Sequence, residues 1–133
     1  MPNLMSRKLL FAILILSLII EVGLSVGIFF FKAQVSKQFG VPVNSDTEFL
    51  SYLVGWLCLF VSLILILAIY QLTQRNGSYA ALCYIMGFFW IAIGIAIFIA
   101  FGKPDNLFID SIKGALIVGL TYWNQRMMPL GRR

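Results

Sequence analysis

The sequence has no histidine, five acidic residues, two cysteines and four prolines in 133 residues, and only 11% of it is charged. The missing histidine excludes histidine-ligated haem, H-E-x-x-H zinc sites and Ser–His or Cys–His catalysis. Cys58 and Cys83 stand singly in apolar runs, with no C-x-x-C, and read as small buried hydrophobes rather than as a redox or metal pair. No metal-ligand set and no nucleophile–base pair is visible. A soluble domain of this length hides a core beneath a charged surface. Here the charges are too few to cover one, and 61% of residues are hydrophobic. The bulk solvent for this chain is therefore lipid, and its net charge of +5 is not a nucleic-acid signal.

A helix crossing the hydrocarbon needs about 20 apolar residues. Runs over 9–31, 49–72, 79–101 and 107–123 answer to that, the last being shorter and more polar. A transmembrane β-barrel would show strands of about 10 residues with alternating polarity, which these runs lack. The first run opens like a signal peptide, with Arg7 and Lys8 before an apolar core. Its apolar stretch is too long for an h-region, so it reads as a retained span. The expectation is an all-α protein, 1–133 as a single integral membrane domain. Its short connections force antiparallel neighbours, hence a transmembrane up-down four-helix bundle.

Cations favour the cytoplasmic side. The N-terminus, second loop and C-terminus carry Arg7, Lys8, Arg75, Arg126, Arg132 and Arg133, against Lys32, Lys37 and Lys103 on the other side. Six against three predicts both termini cytoplasmic. The first loop is the one sizeable extramembrane segment, with Phe39-Gly40-Val41-Pro42-Val43 lying on the outer interface. Ser45 and Glu48, three apart, fit a capping box for the second span. Gly23 and Gly27, Ala92 and Ala96, and Ala115 and Gly119 recur at four-residue spacing, which lets helices approach closely in lipid. They are expected to pack the bundle or, failing that, a dimer. Tyr52, Tyr70, Tyr79, Tyr122 and Trp123 lie near run ends, as interface aromatics do.

One carboxylate interrupts the first run. Glu21 falls near mid-membrane, where an ionised acid costs about 2.5–3.5 kcal/mol. At about 1.5 Å per residue it lies about 15 Å below the outer end of its helix, and Lys113 about 12 Å below the start of the last one. Asp110 is one turn above Lys113 on the same face. Equal depths predict a buried cluster of Glu21, Lys113 and Asp110. Two readings stand. In one, Lys113 pairs with Asp110 or snorkels outward, and Glu21 is neutral, since desolvation disfavours its charged form. In the other, the groups line a polar site for a ligand, an ion or a proton, the default meaning of intramembrane charge. Tyr52 and Trp56 share a face with Glu48 on the second helix, and Trp90 lies mid-membrane. Both tryptophans need an acceptor for their indole N–H.

Size, the Phe39-Gly40-Val41 loop, the Gly55-Trp56 entry of the second helix, and Asp110 followed by Gly114 in the last together resemble the small four-helix bacterial membrane proteins of the DoxX and BphX-like kind. That resemblance implies the fold, a bacterial inner membrane, and for some members a place as accessory subunit of a membrane oxidoreductase. Glu21-Val22, with small residues after it, is similar to the small multidrug resistance transporters, whose first-helix glutamate binds protons and cationic drugs in turn. The longer first loop, the third helix and Lys113 depart from that pattern.

These readings converge on a non-catalytic integral membrane protein that binds a small amphiphile or serves as a subunit of a membrane assembly. The alternative is a proton-coupled transporter using Glu21, and a membrane enzyme acting on a lipid-borne substrate comes third. Candidate ligand or proton sites are Glu21, Asp110, Lys113, Trp56, Tyr52 and Trp90. No cofactor is expected beyond a lipid or quinone. The partners are membrane lipids and a homodimer or larger membrane complex.

Overall fold

The computed structural model describes residues 2–102 and 104–127. Lys103, Arg132 and Arg133, which enter the charge count above, lie outside them. The described residues hold five helices and no strand: α1 Pro2–Phe30, α2 Lys32–Phe39, α3 Ser45–Thr73, α4 Tyr79–Phe101 and α5 Pro104–Arg126. Among the described residues three helices are long and apolar enough to cross a membrane: α1 from Leu4, α3 and α4. The fourth, α5, has 23 residues, but Asp105, Asp110, Lys113 and Asn124 make it more polar.

Many of the large apolar side chains face outward. Ile19 is 63% exposed and Ile99 77%. The interior is rich in polar groups, including Ser6, Ser17, Glu21, Ser25, Ser62, Lys113, Thr121 and Asn124. This distribution suits a lipid solvent, in which hydroxyls and amides gain by facing other helices. The buried positions of α1, at 6, 10, 14, 17, 21, 25 and 28, step by three or four and form one stripe.

Within the single chain, most of the small residues at four-residue spacing lie off such buried stripes. Gly23 falls outside that of α1, and a Cβ on Gly23 or Gly119 would meet no atom within 4 Å among the described residues. Ala92 and Ala96 sit opposite the buried face of α4, and Ala115 and Gly119 opposite that of α5. Four-residue spacing marks a face, but here not the face that these helices bury. Gly27 is in contact, though with α2 rather than a spanning helix: a Cβ there would lie 3.2 Å from Val35 Cγ2.

The helix ends follow local chemistry. The sequence leaves 32–39 as loop, yet it folds as α2. Lysine, alanine and glutamine favour helix, and Gly40 closes it in the left-handed region at φ 69°. Gly40 N–H donates to Lys37 O and Val41 N–H to Ser36 O, the paired bonds of a Schellman end. The capping box of α3 sits one residue earlier than Ser45–Glu48. Thr47 N–H donates to Asn44 Oδ1 and Asn44 N–H to Thr47 Oγ1, both at 2.9 Å. Asn44 and Ser45 are both good caps, and the asparagine takes the position. Arg75 ends α3 at φ 56°, with Asn76 N–H on Gln71 O. Gly102 ends α4 at φ 63°, and Pro104 opens α5, where a missing N–H is harmless.

The chain forms two compact units, Met1–Ser17 with Leu65–Arg133, and Leu18–Ile64. In the first, Leu10, Leu14, Leu65, Leu72, Met86 and Ile117 are at most 2% exposed. Its α4–α5 hairpin closes on two glycines: a Cβ on Gly87 would sit 2.9 Å from Gly114 O, and one on Gly114 2.9 Å from Ile91 N. Backbone therefore meets backbone at that level. In the second unit, Ser25 Oγ donates to Gly55 O at 3.1 Å, and a Cβ on Gly55 would lie 2.9 Å from Phe29 Cζ.

Candidate functional site

The hairpin contact at Gly87 and Gly114 fixes what happens beside it. Trp90 lies one turn after Gly87 on α4, and Lys113 immediately precedes Gly114 on α5. With the two backbones touching, the Lys113 ammonium comes to 3.4 Å from the centroid of the Trp90 ring. Asp110, one turn earlier on α5, places Oδ1 3.2 Å from Lys113 Nζ. Lys113 is 7% exposed and the Asp110 side chain 14%. This is a largely buried ion pair capped by an aromatic face. A desolvated cation–π contact contributes about 2 kcal/mol, and the pair's mutual attraction offsets the desolvation of two charges.

Two polar atoms in this region are buried without a hydrogen-bond partner among the described residues: Trp90 Nε1 and Ser111 Oγ. An indole N–H in apolar surroundings costs about 1–3 kcal/mol when it donates to nothing. Ser111 adjoins Asp110 in sequence, so a donor and a hydroxyl stand without a partner among the described residues, one on each helix of the hairpin that holds the ion pair.

Glu21 is 1% exposed, within the Leu4–Phe30 stretch that can cross a membrane. Its helix thus carries an acid on the buried stripe rather than toward lipid. Tyr52 and Trp56 stand on α3 in the second unit, 43% and 64% exposed. Both rest on Phe29, with ring centroids at 6.2 Å for Tyr52 and 5.7 Å for Trp56. Above them Lys32 pairs with Glu48 and lies 4.7 Å from the Tyr52 ring centroid. The hydrogen bond with Glu48 holds the Lys32 ammonium above the ordinary lysine pKa. Glu48, expected as a helix cap, serves as that ion-pair partner instead.

A further buried polar chain was not foreseen. Ser6 Oγ donates to Asn124 Oδ1 at 3.2 Å, and Asn124 Nδ2 donates to Tyr79 Oη at 2.8 Å. All three are at most 2% exposed. The chain ties the start of α1 to the start of α4 and the end of α5. Tyr79, expected as an interface aromatic, is fully buried, because Asn124 supplies its hydroxyl with a partner. Cys58 and Cys83 are buried, and neither forms a disulfide among the described residues.

Comparison with family models, with curated proteins and with solved structures finds no match to this chain.

Proposed function

We propose that this chain is a non-catalytic integral membrane protein that binds a small amphiphile carrying a hydrogen-bond acceptor at its polar end. A quinone-like or lipid carbonyl answers that description. The observation that carries the reading is the unpartnered Trp90 indole N–H, buried beside the Asp110–Lys113 pair. In lipid such a donor is stabilised by any carbonyl that reaches it, and the neighbouring ammonium polarises the same acceptor. Ser111 supplies a second donor.

With this goes an arrangement of four spans, α1, α3, α4 and α5, as an up-down bundle in a bacterial inner membrane with both termini cytoplasmic. Arg7, Lys8, Arg75 and Arg126 support that orientation. Cysteines placed at Lys8 and Arg75 are expected to react with impermeant reagents only from the cytoplasmic side, and one at Lys37 only from the other. The opposite labelling refutes it. The binding test is native mass spectrometry of protein extracted from its own membranes. Wild type is expected to carry a small amphiphile that Trp90→Phe lacks while remaining folded. Bare protein in both cases contradicts the reading, and isolation with one fixed protein partner favours an accessory subunit, as the DoxX-like resemblance implies.

The burial of Glu21 within a spanning helix favours a second reading, a proton-coupled transporter. Glu21→Gln is then expected to fold and to abolish proton-linked uptake in proteoliposomes. Unchanged uptake dismisses it.

A further inference from the structure

Leu4, Arg7, Lys8 and Phe11 lie at the i, i+3, i+4 and i+7 positions of α1 and so share one face. Opposite them stand Leu72 and Thr73 at the end of α3, and the six residues line an open groove of about 300 Å³. Its chemistry is divided. Leu4 is 55% exposed and Phe11 38%, which gives the groove an apolar wall. Arg7 and Lys8 give it two positive charges.

Arg7 is fixed in place. Its Nη2 donates to Leu72 O at 2.8 Å and to Thr73 O at 3.0 Å, satisfying carbonyls that the end of α3 leaves open. Both bonds leave from Nη2, so Nε and Nη1 remain available to a second acceptor. Lys8 is exposed. Among the described residues of the unit that holds the groove, no carboxylate is paired with Arg7 or Lys8. The acids of the chain are Glu21, Asp46, Glu48, Asp105 and Asp110. Within the unit that contains the groove, only Asp105 and Asp110 occur, at the start of α5. The Ser6–Asn124–Tyr79 bonds place the start of α1 at the other end of the hairpin, the end that also carries Arg75 and Arg126.

We infer that this groove binds one anionic phospholipid, its phosphate between Arg7 and Lys8 and an acyl chain along Leu4 and Phe11. Charge complementarity selects the head group, because a basic site at the mouth of a spanning helix attracts anionic lipid. The exposed leucine and phenylalanine select a lipid over free phosphate, since they offer apolar area that an inorganic ion cannot use. The site uses none of the residues of the Trp90 cluster and stands whether or not that cluster binds an amphiphile.

The test is lipid retention by the full chain in detergent, read by native mass spectrometry with added phosphatidylglycerol or phosphatidylcholine. Wild type is expected to hold phosphatidylglycerol in preference. Lys8→Gln, an exposed change that leaves the Arg7 bonds intact, is expected to weaken that binding about fivefold and leave phosphatidylcholine unchanged. Leu4→Ser is expected to weaken both lipids. Inorganic phosphate at equal concentration is expected not to displace phosphatidylglycerol. Equal retention of the two lipids by wild type, an unaffected Lys8→Gln protein, or displacement by phosphate each overturns the proposal.

Discussion

Among the described residues the same three-part contact occurs twice. Lys113 has Asp110 as its carboxylate and Trp90 as its ring; Lys32 has Glu48 and Tyr52. The first is assembled inside a hairpin, on residues that are almost fully buried. The second spans the start of α2 and the first turns of α3, and half of its carboxylate side chain meets solvent. Equivalent chemistry therefore has unequal consequences. Around Lys113 water cannot replace a lost partner, so each group depends on the others. Around Lys32 water and salt replace any of them. A buried contact of this kind constrains what else can enter, and among the described residues it is the first that has buried donors without a partner beside it.

The largest expected effect comes from breaking the buried pair on one side. Asp110→Ala is expected to cost about 3–5 kcal/mol, the range for removing one partner of a buried ion pair, measured by unfolding in mixed micelles. Replacing both, with Asp110→Leu and Lys113→Met, is expected to recover most of that loss. A double variant as unstable as the single one removes the contrast between the two lysines. Next comes Gly114→Ala, which leaves every charge in place but drives a methyl into the α4 backbone. Overpacking costs about 1–3 kcal/mol, and the same change is expected to part Trp90 from Lys113 and lower amphiphile retention. Gly119→Ala, in open space, is the control and is expected to change neither.

The smallest effect belongs to the exposed set. Glu48→Gln is expected to lower stability slightly at low salt and not at all at high salt, while Asp110→Ala stays salt-insensitive. The sign of its pH dependence follows from the raised pKa of Lys32. The folded state holds that proton more tightly than the unfolded one. The contribution is thus full below the unfolded lysine pKa and fades as pH rises through the folded value. Stability measured across neutral to alkaline pH checks this, and Glu48→Gln is expected to flatten that slope.

Much of the fold was legible because lipid leaves a simple signature. The run read over 79–101 coincides with α4, while α1 and α3 extend beyond their apolar runs into polar flanks such as Arg7 and Asp46, which hydropathy alone does not count as span. The helix α2 escaped because eight mostly polar residues give too short a periodic window. The cap moved by one residue because Asn44 and Ser45 compete on equal terms. Within the candidate site, the Asp110–Lys113 pair could be read from spacing on one helix. The Trp90 contact could not, since it depends on the register of α4 against α5. That register is set by Gly87 meeting Gly114, and neither glycine has a glycine, alanine or serine four residues away to announce it.

The most direct measurement is the indole N–H spectrum of nitrogen-15 tryptophan-labelled protein. The chain has three tryptophans, and the Trp90 signal is assigned by its loss in Trp90→Phe. On titration with a short-chain quinone or with the native lipid extract, the Trp90 resonance is expected to move downfield as its proton finds a carbonyl, with Trp56 and Trp123 unmoved. A Trp90 signal that stays fixed while the ligand demonstrably binds, or that moves no more than the other two, contradicts the assignment of this cluster as the binding site.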